Sequence, residues 1–63
     1  MFVKLTGEIN GKPVYINACK VTAVYESIID DYTLVNTAKG QEWKVKESPE
    51  TVVMLLNSAL KGR

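Results

Sequence analysis

The residues that most often carry catalysis are scarce in this chain. It has no histidine, so the commonest general base at neutral pH is missing. Its single cysteine, Cys19, could act as a nucleophile only beside a base, and the simpler interpretation is a small buried residue between strands. The adjacent carboxylates Asp30 and Asp31 are typical of a turn that faces water. We therefore predict that the protein is not an enzyme and has neither a cofactor nor a metal site.

Lysines interleaved with aromatic residues provide an alternative chemistry, the binding of nucleic acid. Small β barrels bind single strands by stacking bases on aromatic rings beside basic grooves. The candidate residues for this alternative are Lys20, Lys44, Lys46, Tyr15 and Trp43. Glutamates are mixed among the lysines and the net charge is only +1, so the chain as a whole does not attract phosphate strongly. The aromatic residues would also fit a core or a protein interface.

A terminal helix carries more apolar side chains than one face requires. Ser48 is a good N-cap and Pro49 suits the first helical position, which predicts a helix over residues 49–60, with Gly62 as its C-terminal cap. Val53 and Met54 fall outside the apolar face of this helix. That face consists of Val52, Leu55, Leu56, Ala59 and Leu60.

This apolar surplus predicts contacts with other chains. Ile28 and Ile29 add to it, because they stand in a presumed loop. A chain of 63 residues is one domain, residues 1–63, and below about 70–80 residues one core rarely supplies more than about 3–5 kcal/mol. With one cysteine, no intrachain disulfide can add to that. We therefore predict a homo-oligomer or a protein partner, with Val53, Met54, Ile28 and Ile29 at the interface.

Alternating apolar and polar residues predict five strands in front of the helix. They are residues 2–9, 14–16, 21–26, 32–37 and 41–46. Asn10-Gly11 predicts a type I′ hairpin turn with positive φ at both residues, and Gly40 predicts a second tight turn. The fold class is therefore mainly β, a five-stranded antiparallel meander or small barrel with one C-terminal helix that covers an open face.

The alternation also assigns faces to the later strands. In the third strand, Val21, Ala23 and Tyr25 would lie on one side with Val24 opposite. In the fifth strand, Trp43 and Val45 would point inward. No segment approaches the roughly 20 apolar residues of a membrane-spanning helix, and no signal peptide is visible, so we predict no membrane insertion. The single cysteine fits a reducing compartment, which predicts a cytoplasmic protein.

The order of motifs resembles the FlbD family (SwrD is a related name), small bacterial proteins often encoded among flagellar genes. The resemblance covers the chain nearly end to end. It rests on Asn10-Gly11-Lys12, Ile16-Asn17-Ala18, the stretch from Val21 to Val24-Tyr25-Glu26, Gly40, the block Lys44-Val45-Lys46-Glu47-Ser48, and Glu50-Thr51-Val52-Val53. It implies a non-enzymatic accessory protein, in the flagellar case one linked to motor function and swarming, and it brings no catalytic residues.

Two departures separate the chain from that family. The segment of residues 27–32 is about one residue longer than the family's turn, and Thr37 stands where an apolar residue is expected. A distant bacterial or phage relative with a changed role is therefore an alternative. In architecture alone, five short strands and one helix are similar to Sm-like RNA-binding rings, although those proteins carry the helix at the N-terminus. That similarity implies ring assembly and RNA binding.

Overall fold

The computed structural model describes residues 1–61, which form five strands, one short 3-10 helix and one α-helix. The elements in chain order are β1 (Phe2–Thr6), β2 (Pro13–Asn17), the 3-10 helix η1 (Ala18–Lys20), β3 (Val21–Glu26), β4 (Thr33–Thr37), β5 (Glu42–Val45) and α1 (Pro49–Lys61). The predicted mainly β fold with one C-terminal helix is confirmed. The helix extends one residue past its predicted end at residue 60, and the predicted cap at Gly62 lies outside the described residues.

The first hairpin follows the predicted alternation. β1 pairs antiparallel with β2, with Val3 opposite Ile16 and Leu5 opposite Val14. Val3, Leu5 and Ile16 are buried, whereas Lys4 on the other face is exposed. One face of this hairpin therefore packs on the core.

The turn of this hairpin differs from the predicted type I′ turn. Only Gly11 has a positive φ, of 71°, and no residue other than glycine has one within the described part of the chain. The Gly7 N–H donates to the Lys12 carbonyl (2.8 Å), which closes a loop of four residues, 8–11. Asn10 instead accepts the Lys12 N–H through its side chain (3.0 Å). The longer loop removes Asn10 from the central position that requires positive φ.

β3, β4 and β5 form a second antiparallel sheet, and β3 contains a bulge. Val21 pairs with Thr37 but Ala23 pairs with Asn36, so one extra residue lies between them. This insertion reverses the alternation. Val21 and Val24 both pack against the core while Ala23 is exposed. The predicted grouping of Val21 with Ala23 and Tyr25, opposite Val24, is therefore wrong.

The two sheets are joined where β1 ends. Lys46 N–H donates to the Thr6 carbonyl and Glu8 N–H donates to the Lys44 carbonyl, both at 2.9 Å, around a bridge between Gly7 and Val45. Through this bridge the strand order is β2-β1-β5-β4-β3. Closure would require β2 to pair with β3, and these strands do not pair. The meander alternative is correct and the closed barrel is wrong.

The short helix η1 explains why the strands do not close into a barrel. It interrupts the chain between β2 and β3, and the Asn17 side chain caps it by accepting the Cys19 N–H (3.0 Å). Ala18 is buried there and its N–H donates to the Met1 carbonyl (2.9 Å). The chain therefore turns through the core at Ala18 instead of running directly from one strand into a neighbouring one.

α1 begins as its sequence predicts. Ser48 Oγ accepts the Thr51 N–H (3.2 Å), its carbonyl accepts the Val52 N–H (2.9 Å), and Pro49 is the first helical residue. The helix packs on β1, β3 and η1. It thereby completes a core shared by both sheets, whose buried apolar members are Val3, Leu5, Ile16, Ala18, Val35, Val45, Val52 and Leu56.

Candidate functional site

The outer face of α1 is an apolar surface that the core does not use. Val52 and Leu56 are buried on the inner side, whereas Val53 is 44% and Met54 61% exposed. Leu60 is also exposed, which corrects its predicted place on the inner apolar face, because it lies in the last turn beyond the core. Glu50 and Lys61 border the same shallow groove at its two ends, with Asn57 between them. We call Glu50, Val53, Met54, Asn57 and Lys61 the outer helix face. Val53 and Met54 are exposed as expected, and their role at an interface stays a prediction.

The loop between β3 and β4 holds the second predicted apolar pair. Ile28 is 99% and Ile29 82% exposed. The loop is closed by the Ser27 N–H, which donates to the Tyr32 carbonyl (3.0 Å). Ser27 Oγ also accepts the N–H groups of Ile29 (3.1 Å) and Asp30 (3.2 Å). A backbone ordered in this way presents two isoleucines to solvent, and the exposure of their apolar side chains to water is unfavourable. An interface that covered them would remove this unfavourable exposure.

The isoleucine loop, residues 28–31, and the outer helix face approach each other at the start of α1. Pro49 borders the helix groove, and it also lines a small cleft with Asp31 and Tyr32, which follow the isoleucines. The end of the isoleucine loop at Asp31 therefore lies near the first residue of α1.

A groove unites three of the five residues proposed for nucleic-acid binding. Tyr15, Trp43 and Lys20 line a cavity of about 270 Å³ between β2, η1 and the turn after β4. Trp43 lies opposite Val35 in the sheet, on the core face as predicted, but it is 39% exposed because it stands at the rim of that face. The predicted inward packing is thus correct for the fully buried Val45 and only partial for Trp43.

Three polar residues outside the five predicted candidates complete this groove. Lys39, Asn17 and Gln41 line it beside the residues already named. We call Tyr15, Trp43, Lys20, Lys39, Asn17 and Gln41 the aromatic groove. Lys39 and Gln41 flank Gly40, whose φ of 78° confirms the predicted tight turn. This turn could be predicted, but its position against β2 depends on the tertiary fold.

The other two lysine candidates lie elsewhere. Lys44 pairs with Leu34, on the sheet face opposite to Trp43, and its Nζ lies 5.4 Å from the centre of the Tyr32 ring. That distance is within the range of a cation–π contact. Lys46 lines the small cleft at the start of α1, where Glu26 is also present. The structure therefore divides the predicted basic surface into separate places.

The nucleophilic and acidic residues that the sequence analysis considered, Cys19, Asp30 and Asp31, all lie at exposed positions. Cys19 is exposed on η1, which corrects the interpretation of a buried residue, because the neighbouring Ala18 takes the inward position. Asp30 and Asp31 are exposed in the isoleucine loop, as their turn assignment predicts. Within residues 1–61, no three histidine, cysteine, aspartate or glutamate side chains gather as metal ligands.

Two side chains within residues 1–61 have shifted pKa values, and both shifts have structural causes. The Tyr25 hydroxyl donates to the Glu42 carboxylate (2.6 Å), and this bond raises the pKa of Tyr25 because the bond requires the proton. Partial burial acts to raise the pKa of Glu47, but hydrogen bonds from Thr6 outweigh it and the pKa falls below its ordinary value. Neither group lies in the aromatic groove or on the outer helix face.

Glu47 has a structural role that the sequence did not indicate. Its carboxylate accepts the Thr6 N–H (2.9 and 3.1 Å to the two oxygens) and the Thr6 hydroxyl (2.9 Å). In a regular ladder the Thr6 N–H would donate to the Lys46 carbonyl, because Lys46 already donates to Thr6. The chain turns away toward α1 at this point, so the Glu47 side chain replaces that bond.

Comparison with known proteins found no match for the chain among protein-family models, curated proteins or solved structures. None of the helices in residues 1–61 has both the length and the apolar character needed to cross a membrane. The candidate surfaces above therefore rest on the geometry of this chain.

Proposed function

We propose that the protein is a non-catalytic interaction protein that self-associates through its outer helix face. The observation that carries this proposal is the exposure of Val53 and Met54 on a helix whose opposite side is anchored in the core. Such a helix is already held in place, so little conformational entropy is lost when a second surface covers it. Covering these side chains removes apolar area from water, which stabilises association.

The charges on the outer helix face favour an antiparallel pair of helices. Glu50 lies in the first turn and Lys61 in the last, on the same groove. A two-fold axis across the middle of the helix brings Glu50 of one copy to Lys61 of the other, twice. A parallel pair would instead place like charges side by side. The 13-residue helix is about 20 Å long at 1.5 Å per residue, so Val53 and Met54 lie near the axis.

The isoleucine loop extends this surface beyond the helix. Specific interfaces bury roughly 1,200–2,000 Å² in total, more than one pair of short helices supplies. Asp31, at the end of the isoleucine loop, shares a cleft with Pro49, the first residue of α1. In the proposed antiparallel arrangement, the exposed Ile28 and Ile29 of each copy would supply the additional apolar area that the interface needs.

The family resemblance supports this class of function and not a reaction. The residues of the block Val45-Lys46-Glu47-Ser48 have structural roles here, since Val45 is buried, Glu47 binds Thr6 and Ser48 caps α1. We propose an accessory protein of the FlbD type, in the flagellar case one that acts by docking. The unpaired, exposed thiol of Cys19 supports a reducing cytoplasmic location.

Light scattering after size exclusion, on tag-free protein over a range of concentrations, tests this proposal. We expect wild type to be a dimer and Met54→Glu to be a monomer with an unchanged circular dichroism spectrum, because Met54 is exposed. Ile9→Glu is the matched control, since Ile9 is an exposed apolar residue of the β1–β2 loop and does not line the groove of the outer helix face. Monomeric wild type at high micromolar concentration would overturn self-association.

A charge exchange tests the orientation of the pair. Glu50→Lys should weaken the dimer by placing two lysines together at each end, and Lys61→Glu in the same chain should restore it. Failure of the double variant to recover, with each single variant folded, would contradict the antiparallel arrangement.

A further inference from the structure

We propose that the aromatic groove binds single-stranded nucleic acid, with bases stacked on Tyr15 and Trp43 and phosphates held by Lys20 and Lys39. This site is separate from the outer helix face, with which it shares no residue. The proposal of nucleic-acid binding can therefore be tested independently of self-association.

The aromatic rings of the groove are available for stacking. Tyr15 is 61% exposed, and Trp43 retains 39% exposure although its strand partner Val35 is fully buried. Rings of this kind bind the faces of nucleotide bases without strong sequence preference. The two rings come from different sheets, β2 and β5, and the open barrel leaves the space between them. The groove thus exists because β2 does not pair with β3.

The charges around the groove have one sign. Lys20 and Lys39 line it, and no carboxylate is among its described lining residues. The nearest acidic residue in sequence, Glu42, alternates to the other side of β5 and accepts the Tyr25 hydroxyl (2.6 Å). A local excess of positive charge therefore remains despite a net charge of only +1 for the chain.

Backbone contacts hold the two lysine segments together. The Ala38 N–H donates to the Lys20 carbonyl (2.8 Å), which fixes the turn before Lys39 against the end of η1. Asn17 at the other end of η1 accepts the Cys19 N–H through its Oδ1, so its amide NH₂ remains available as a donor. The positions that carry the cations are consequently set by the fold before any ligand binds.

The size and edge of the groove favour a nucleic acid over an extended peptide. Its volume of about 270 Å³ lies just below the roughly 300–1,000 Å³ of pockets for drug-sized ligands, which suits one or two bases. A peptide added to the edge of β2 would need a row of free backbone groups. Pro13 has no N–H and Asn17 leads directly into η1. Along this edge of β2, Tyr15 alone therefore offers both a backbone N–H and a carbonyl to an added strand.

Fluorescence of Trp43, the only tryptophan, reports directly on this site. We would titrate the protein with an oligouridine of about eight nucleotides, within the range of site sizes for single-strand binders, up to about 1 mM. We expect saturable quenching. Two phosphate contacts predict a logarithmic salt slope of about −1.4, or roughly sevenfold weaker binding from about 50 to 200 mM salt.

Paired variants separate the groove from general electrostatic attraction. Lys20→Ala and Lys39→Ala should each weaken binding and reduce the salt slope by about 0.7, whereas Lys44→Ala, which removes the same charge from the opposite sheet face, should leave both unchanged. Tyr15→Ala should weaken binding about 5- to 150-fold, and Tyr15→Phe, which keeps the ring, should bind as wild type.

Three outcomes would overturn the proposal. The first is no quenching at about 1 mM oligouridine in about 50 mM salt. The second is an equal loss with Lys44→Ala and Lys20→Ala, which would indicate attraction without a site. The third is equal quenching by an oligoglutamate of the same length, which would indicate an acidic peptide. Met54→Glu should bind as wild type, so failure of the dimer would not be confused with failure of the groove.

Discussion

Replacing Glu47 by glutamine tests the side chain that completes the junction between the two sheets. The carboxylate accepts three hydrogen bonds from Thr6, at 2.9, 3.1 and 2.9 Å. Glutamine has nearly the same shape but only one acceptor oxygen. Its NH₂ group would face a donor of Thr6, so at least one of these bonds is lost and the remaining ones lose their charge assistance.

The expected effect is large for so small a domain. Hydrogen bonds to a charged group contribute about 1.5–3 kcal/mol, and Glu47 is half-buried, so partial solvent access reduces that figure. We expect Glu47→Gln to lower the free energy of unfolding by about 1 kcal/mol and Glu47→Ala by about 2 kcal/mol. A core of this size supplies only about 3–5 kcal/mol in total. One kcal/mol corresponds to a decrease in Tm of roughly 4–8 °C.

Urea unfolding followed by Trp43 fluorescence, at pH 7 and at a series of acidic pH values, measures this effect. The pKa of folded Glu47 lies below its ordinary value of 4.5. A carboxylate with a lowered pKa stabilises the fold above its unfolded pKa, and that stabilisation is lost as the pH falls through the folded pKa. Wild type should therefore lose stability below about pH 4.5 more steeply than Glu47→Gln.

Glu26→Gln provides the matched control, because Glu26 is an exposed glutamate at the end of β3. It should change the free energy of unfolding by no more than about 0.5 kcal/mol. If Glu47→Gln unfolds at the wild-type urea concentration and keeps the wild-type acid slope, then the Thr6–Glu47 contacts do not stabilise the junction and the reasoning is refuted.

Two further substitutions test local signals. Ser48→Ala should destabilise by about 1 kcal/mol by removing the oxygen that accepts the Thr51 N–H, as measured by urea unfolding against Ser58→Ala, an exposed serine within α1. Gly40→Ala should lower the free energy of unfolding by about 1 kcal/mol, because the φ of 78° is strained for alanine; steric overlap does not contribute, since no atom lies within 4 Å of an added Cβ. Gly40→Asn should have a smaller effect. Equal melting temperatures for Gly40→Ala and wild type would contradict the strain argument.

Features set by short stretches of sequence could be predicted. The Ser48-Pro49 start of α1 depends on hydrogen bonds within one turn, and the positive φ of Gly40 depends on a three-residue loop. The buried alternation of β1 likewise follows from its own residues. In each case the determining contacts join residues a few positions apart in the chain, so residue propensities and the apolar pattern are sufficient to predict the structure.

Features set by contacts between distant segments could not be predicted. The bulge in β3 depends on its register against β4, and one inserted residue reversed the faces of Val24 and its neighbours. The bond from Thr6 to Glu47 joins residues 41 positions apart. The burial of Ala18 in place of Cys19 depends on how η1 fits between the sheets. Periodicity does not contain this information, because each outcome depends on a partner segment.

The open barrel explains both candidate surfaces through one element. Because η1 interrupts the path from β2 to β3, the two edges remain apart and α1 packs on β1, β3 and η1 to cover the core. The inner side of the helix packs against these elements, so Val53 and Met54 on the opposite side remain exposed to solvent. At its other end η1 contributes Lys20 to the aromatic groove. A segment of three residues thus sets the exposure of the helix and the position of the groove, while the two surfaces share no side chain.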